Sequence, residues 1–484
     1  MEKLIKNAKY LSEVFEFLPS DVILNKGITG CGGSYLELHS KRNSVILVPT
    51  VELVKNKTEE GIQPVHGKVT QQEIKEYLSS PGIKKLLGTY DSIERILSLI
   101  NPKEYFLLID EYHLLFNAYN YRNQAVLKIL QHYSEFDHFC FMSATPLNDT
   151  CILKELEHLD QITLKWENAT QVNINIIDTY YTNRTLYKLL NSDNTCEWHI
   201  FLNSVKTIKD FISKLETTDY RVICSDKAKK GYKGLNYANT KDPVKRYNFY
   251  TSCSFEGCDL YSKNGRSVIV CDTNIATTIL DISTLIRQIC GRLRDSIYKD
   301  QVTLILNTNN HRYANVSKWK FNKNLQEHVA EGKAYEELFN EVSEIKQSAM
   351  LKTYTPEAFG SIYCNKLDNK IFYDDNLRKM DEYNYHLISE IYNSSISVLM
   401  EYKNNNMQAN METANTPSGL NWITEKLEDR EYSYNELEKI FSPIFKEHDL
   451  EWSVKQSIVT YFPAFVKKRR TINGERDYYY RFKL

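Results

Sequence analysis

Short apolar runs bounded by turn residues recur in the first third of the chain: Val22-Ile23-Leu24, Val45-Ile46-Leu47-Val48, Tyr105-Phe106-Leu107-Leu108-Ile109 and His138-Phe139-Cys140-Phe141-Met142. Between them lie segments with helical spacing, such as Gln71 to Leu78 and Ser92 to Ile100. A strand that is apolar at every position must be covered on both faces, so these runs alternating with helices predict a parallel α/β sheet. The pattern restarts with Trp198-His199-Ile200-Phe201-Leu202, Tyr220-Arg221-Val222-Ile223-Cys224, Ser267-Val268-Ile269-Val270-Cys271 and Val302-Thr303-Leu304-Ile305-Leu306. Two tandem α/β domains are therefore expected, at 1–150 and 151–314, joined through the Asp149–Glu167 region. Residues 315–402 read as a mostly helical accessory region, as in Ala334 to Val342, with no chemistry standing out. Residues 403–424 are polar and non-periodic, as a linker is, and a small module occupies 425–484.

Bulk properties narrow the function classes. With 484 residues, 42% hydrophobic and 25% charged, the chain has the composition of an ordinary globular protein with room for about three domains. A net charge of −1 is not that of a protein that coats nucleic acid, so such a partner must be held by local patches. No run of about 18 apolar residues appears, so no transmembrane helix and no membrane partner is expected. The N-terminus lacks the apolar core of a secretory signal. Ten cysteines without C-x-x-C pairs, of which Cys253 and Cys258 are closest, argue against zinc or a disulfide framework and fit a reducing cytoplasm.

Candidate chemistry begins between the first apolar run and a helix expected at Leu36-Glu37-Leu38. Gly27-Ile28-Thr29-Gly30-Cys31-Gly32-Gly33-Ser34 reads as a phosphate-binding loop. Its glycines, Gly27, Gly30 and Gly32, let backbone N–H groups curl toward a phosphate, with Thr29 among them. Ser34 stands where a hydroxyl ligates Mg²⁺, and Gly33 stands where lysine neutralises the β- and γ-phosphates of ATP. Lys26, or Lys41 and Arg42, are the neighbouring cations that could replace it. Asp110 and Glu111 come directly after the run ending at Ile109, at the carboxyl end of a strand where parallel sheets bind ligands. There Asp110 can hold Mg²⁺ and Glu111 can orient or deprotonate an attacking water. His113 completes a D-E-x-H pattern, and Ser143-Ala144-Thr145-Pro146 ends the fourth run as a link between nucleotide site and partner strand. In the second domain Gln288-Ile289-Cys290-Gly291-Arg292-Leu293-Arg294 can supply arginines to a transferring phosphoryl group from a neighbouring domain.

The C-terminal module has its own signals. Ser433-Tyr434-Asn435-Glu436 has the form of a capping box opening a helix, and Trp452 to Tyr461 reads as a second helix. Val466 to Arg481 is a hairpin with Asn473-Gly474 at its turn. Residues 465–484 hold seven basic and two acidic side chains, and Lys467, Lys468, Arg469 and Arg470 interleaved with aromatics suit phosphate contact and base stacking. Helices ahead of a basic hairpin resemble a winged helix.

In this order the motifs of residues 20–310 resemble those of superfamily 2 helicases of the DExH type, and the loop is similar to that of helicase-like replication proteins of Bacteroidetes phages and mobile elements. On that resemblance Val48-Pro49-Thr50, Thr89-Tyr90-Asp91-Ser92, Phe201-Leu202-Asn203-Ser204 and Thr251 to Asp259 are further motifs. They would place Thr50, Thr89, Ser204 and Thr251 on nucleic acid and Asp259 near ATP. The resemblance implies two RecA-like lobes with ATP and Mg²⁺ between them and a single strand across their tops. It implies an ATP-dependent helicase or translocase on single-stranded or forked nucleic acid, DNA favoured, working with other replication proteins in a cytoplasm (the host's, for a phage-encoded chain). The departure at Gly33 keeps open a second reading: a non-hydrolysing nucleotide-gated clamp or origin-recognition factor.

Overall fold

The structure is a computed structural model of the 484-residue chain. It describes residues 1–145, 147, 151–167, 171–215, 217–255, 259–308, 316–355, 362–405, 407–413, 427, 430–447, 466–472 and 475–481. Two compact units divide it, Met1–Glu412 and Thr413–Leu484.

The first sheet consists of β1 (Glu2–Ile5), β2 (Val22–Asn25), β3 (Ser44–Val48), β4 (Ile62–Val65), β5 (Lys85–Thr89), β6 (Phe106–Asp110), β7 (His138–Ser143) and β8 (Asp160–Trp166). They lie in the order β1-β8-β2-β7-β6-β3-β5-β4, and every pairing is parallel. The apolar runs are buried as their composition requires. Along β3, Val45 and Leu47 join Leu107, Ile109 and Phe141 in one core layer, while Ile46 and Val48 join Leu108 and Met142 in the opposite layer.

The second sheet takes β9 (Asn173–Asp178), β10 (Glu197–Phe201), β11 (Tyr220–Ile223), β12 (Tyr247–Tyr250), β13 (Gly265–Asp272) and β14 (Gln301–Asn307), with parallel pairing. Long helices Lys318–Glu341 and Glu344–Thr353 come next, then an antiparallel hairpin of β15 (Cys364–Leu367) and β16 (Lys370–Tyr373). The chain returns through helices Asp375–Tyr385 and Ser395–Asn404 to β17 (Gln408–Thr413), giving the order β11-β12-β10-β13-β14-β9-β17.

Four stretches differ from the expectation. The connector supplies β8, whose inward Leu164 and Trp166 alternate with exposed Gln161 and Lys165. A half-buried strand of that kind has no continuous apolar run to announce it. The helix expected from Ser92 to Ile100 is a single short helix, Ile93–Leu97, after a 3₁₀ turn. The region 315–402 is not helix alone, and β17 lies within the segment read as linker.

That accessory region crosses between the lobes. Met380 enters the first core, whereas Leu387, Ile391, Tyr392, Val398 and Tyr402 enter the second. On the first-lobe side Tyr119 Oη donates to Asp374 Oδ2 (2.6 Å) and Lys379 Nζ to the Ile152 carbonyl (2.8 Å). On the other, Tyr392 Oη donates to the Leu280 carbonyl (2.6 Å) and Arg287 Nη2 to that of Asn405 (2.6 Å).

Thr413–Leu484 contains β18 (Glu431–Ser433), the helix Tyr434–Glu447, β19 (Val466–Ile472) and β20 (Glu475–Arg481), in an antiparallel sheet ordered β18-β20-β19. The capping box is formed: Glu436 N donates to Ser433 Oγ (3.3 Å) and Ser433 N to Glu436 Oε2 (2.8 Å). Ile472 pairs with Glu475; the expected Asn473-Gly474 turn and the helix expected from Trp452 to Tyr461 lie outside the described residues. Among the described residues no helix is long and apolar enough to cross a membrane.

Candidate functional site

Parallel pairing puts all strand carboxyl ends of the first sheet along one edge, and β2, β7, β6, β3 and β5 are consecutive neighbours in it. The loop after β2, the acidic pair at the end of β6 and the Ser143-Ala144-Thr145 segment at the end of β7 therefore meet along that edge. Ser34, on helix Gly33–Leu38, donates its hydroxyl to Asp110 Oδ2. Lys57, at the end of helix Val51–Lys57, reaches the same point: its Nζ is 2.5 Å from Ser34 Oγ and 2.9 Å from Asp110 Oδ2. Lys26 Nζ lies 3.5 Å from both Asp110 Oδ1 and Glu111 Oε1.

Asp110 is fully buried, and a buried carboxylate needs such partners. Burial pushes its pKa up, but Lys57, Lys26 and the Ser34 hydroxyl more than reverse this and hold the carboxyl well below the usual range. Burial lowers the pKa of Lys26, and the charges of Glu111 and Asp110 outweigh it, leaving the ammonium above the usual lysine range. Ser34 and Asp110 thus form a hard-oxygen pair that already converges on a cation, a donor set that fits Mg²⁺.

Glu111 has φ +55, a left-handed conformation costing a non-glycine residue about 1–2 kcal/mol. Tyr90 braces it, donating its hydroxyl to the carbonyls of Asp110 (2.7 Å) and Glu111 (3.0 Å). This backbone twist turns the Glu111 side chain toward the second lobe, where Gln288 Nε2 donates to Oε2 (2.9 Å) and also to Thr145 Oγ1 (3.1 Å). Arg292 holds Gln288 in turn, through Nε to its carbonyl (2.8 Å) and Nη2 to Oε1 (2.5 Å). His113 Nδ1 lies 2.8 Å from Ser143 Oγ, which also accepts from Thr145 N (3.0 Å). A buried polar chain thus runs from the acidic pair of one lobe to Arg292 of the other.

The second lobe also closes on the loop. Arg294 pairs with the exposed Asp259 (2.7 Å), and its guanidinium covers Gly30: a Cβ there would lie 2.7 Å from Nη1, on a backbone with φ +74. The positive φ favours glycine, and any side chain there would also have to push the guanidinium aside. Gly291 lies against the Thr29 side chain, while Gly27 and Gly32 have φ +78 and +79.

Gly33 is packed from below. A Cβ there would lie 2.6 Å from Met142 Sδ and 3.3 Å from Leu11 Cδ1. Of the cations considered as replacements, Arg42 is bound to Glu37 and stacked 3.4 Å over Phe106, Lys41 is exposed, and Lys26 faces the acidic pair. Lys57 carries no signal in the sequence, because a lysine in the last turn of a helix is unremarkable.

The remaining candidate residues sit at local structural positions. Thr50 and Ser204 cap helices, accepting from Leu53 N and Thr207 N (3.2 Å each). Thr89 Oγ1 is 3.0 Å from Ser92 Oγ, and Thr251 Oγ1 donates to the Ile223 carbonyl (3.3 Å). Arg122, also unforeseen, ties the Thr50 and Thr89 segments together through the Pro49 carbonyl (2.5 Å) and Asp91. Pro146 and residues 256–258 of the Thr251–Asp259 motif lie outside the described residues.

In the C-terminal unit the register puts Lys467 opposite Tyr480 and Arg469 opposite Tyr478. Lys467 Nζ lies 3.9 Å and Arg469 Cζ 5.7 Å from the Tyr478 ring. Lys468 and Arg470, on the alternate face, are paired with Glu431 at 3.6 and 2.8 Å.

No protein-family model matches the chain, and no curated protein matches its sequence. Solved structures do match. Saccharomyces cerevisiae Dbp5 bound to RNA and ADP BeF3 aligns at 13% identity over 76% of this chain and 90% of its own, with a TM-score of 0.42. Mycobacterium smegmatis helicase Lhr bound to ssDNA and AMP-PNP aligns at 13% identity over 61% of this chain, with a TM-score of 0.40; the chain spans 44% of the length of that protein. The Pyrococcus furiosus Hef helicase domain aligns at 10% identity over 60% of this chain and 93% of its own, with a TM-score of 0.34. The fold itself is two parallel-sheet α/β lobes in series, with small antiparallel sheets in the later part of the chain.

Proposed function

We propose that the chain is an ATP-dependent helicase or translocase acting on single-stranded or forked nucleic acid, DNA favoured, in phage or mobile-element replication. The observation that supports this most is the buried chain Glu111–Gln288–Arg292, which couples the acidic pair of one lobe to the basic motif of the other. A scaffold without chemistry has no need to bury charged and amide groups on facing lobes, since desolvating each is costly.

In this reading Ser34 and Asp110 hold Mg²⁺, which neutralises charge on the phosphate oxygens when bound. Glu111 orients the attacking water and takes its proton as oxygen bonds to the γ-phosphorus. The bond from that phosphorus to the bridging oxygen breaks, and ADP leaves with the electron pair. Arg292 and Arg294 stabilise charge on the transferring group, and Gln288 reports the occupancy of the cleft to Thr145. The hairpin β19–β20, in a winged-helix-like module, holds strand phosphates with Lys467 to Arg470.

Gly33 favours the second reading, a clamp that binds nucleotide without hydrolysing it. Phosphate release with Mg²⁺, with and without single-stranded DNA, decides between them. Strand-stimulated turnover supports the motor; nucleotide-dependent strand binding with no phosphate release defeats it in favour of the clamp.

A further inference from the structure

The loop lacks its lysine, and a side chain at Gly33 would require Met142 to move, since a Cβ there would lie 2.6 Å from Met142 Sδ and 3.3 Å from Leu11 Cδ1. The charge has nonetheless not left the site. Two ammonium groups converge on Asp110, and they are held differently.

Lys26 is held through its backbone and enclosed at its side chain. Its backbone N donates to the Ser143 carbonyl (2.8 Å), its carbonyl accepts from Trp166 Nε1 (2.7 Å), and its Nζ sits between Asp110 and Glu111. Only 7% of its side chain is exposed. Lys57 comes from a different element, the last turn of helix Val51–Lys57, and 26% of its side chain is exposed. Its Nζ touches the hydroxyl of Ser34, the residue next to Gly33, and lies on the Asp110 oxygen that Ser34 also contacts. A flexible four-carbon stem carrying a compact ammonium can follow a phosphate oxygen from such a partly exposed position, whereas a lysine enclosed between two carboxylates has less room to do so.

We infer that Lys57 supplies, from outside the loop, the phosphate-directed ammonium that Gly33 lacks, and that Lys26 serves only the acidic pair. Entry of a nucleoside triphosphate with its metal then exchanges one cation for another on Ser34 and Asp110, and Lys57 moves onto the terminal phosphates. The inference rests on the nucleotide-site reading but not on hydrolysis.

The test uses the full chain with Lys57→Gln, which keeps donor atoms near Ser34 but removes the charge, alongside Lys57→Ala and the neighbouring Lys55→Ala as control. Fluorescent ATP and ADP binding, phosphate release with single-stranded DNA, and thermal unfolding are measured for each. The expected result is that Lys57→Gln folds, loses the preference for ATP over ADP, and turns over about 10²–10³-fold more slowly, the usual effect of removing one preorganised charge. Lys55→Ala matches the unmodified chain. Retained ATP preference in Lys57→Gln overturns the inference, whether or not turnover falls, because a lysine that only neutralises Asp110 would not distinguish the two nucleotides. If the unmodified chain releases no phosphate yet its ATP preference depends on Lys57, the motor reading fails and the inference stands.

Discussion

Lys26, Lys57 and Arg292 in the interlobe cleft and Lys467 and Arg469 in the C-terminal ribbon carry the same charge in opposite surroundings. In the cleft each cation is wholly or largely buried and bonded to a carboxylate or to Gln288. In the ribbon Lys467 and Arg469 are exposed and lie over tyrosine rings. A buried charge must be balanced in every state, so a ligand enters the cleft only by exchanging partners, and occupancy is thereby coupled to the arrangement of both lobes. An exposed charge is balanced by solvent ions and binds an anionic strand by releasing them, with strong salt dependence and little coupling. On the proposed reading the cleft would switch and the ribbon would hold.

Substitutions in both regions test this contrast. Glu111→Gln should lower turnover by about 10²–10⁴-fold, the range expected for a lost general base, with nucleotide affinity nearly unchanged, because on the proposed reading the carboxylate acts on water and does not cradle phosphate. Unchanged turnover in a phosphate-release assay would remove Glu111 from the mechanism. Arg292→Ala should come next at about 10²–10³-fold, again with a larger effect on turnover than on affinity. It also strips Gln288 of its main partner, so a fall in affinity matching the fall in turnover would recast Arg292 as a structural clasp.

Gly33→Lys should bring no gain in turnover. The added side chain must displace the end of Met142, and overpacking of this kind typically costs about 1–3 kcal/mol, measurable as a lowered denaturant midpoint. Raised affinity or turnover would mean that no other residue serves the phosphates. The smallest effect is expected in the ribbon. Lys467→Ala should weaken strand binding about equally for all sequences and reduce the slope of log affinity against log salt by about one. Lys468→Ala, whose ammonium is paired with Glu431, should move the slope less; equal effects would erase the distinction between the two faces.

Much of the cleft was legible because its parts are local. A strand buried on both faces must be apolar throughout, and the residues just past its carboxyl end fall on the ligand-binding edge, so Ser34, Asp110, Glu111 and Ser143 could be placed along the chain. Gln288 and Arg292 were legible as a motif, but not as the residues that meet Glu111 and Thr145. Tyr90 and Arg122 were invisible as braces: a tyrosine and an arginine among many give no sign of which carbonyls they will reach.

The amino-acid sequence was enough to establish the two parallel-sheet lobes, the order of the motifs along them, the capping box at Ser433 and the absence of a lysine at position 33. It was enough because strand burial, helix capping and loop curvature depend on neighbours a few residues away. The tertiary fold alone settled that Lys57 shares a point with Ser34 and Asp110, that Met142 and Leu11 occupy the space under Gly33, and that the chain from Asp374 to Tyr402 reaches both cores. These depend on crossovers that bring segments tens to hundreds of residues apart into contact. Charge and side-chain length limit which partners such a residue can accept, while the sheet order selects which of them it meets.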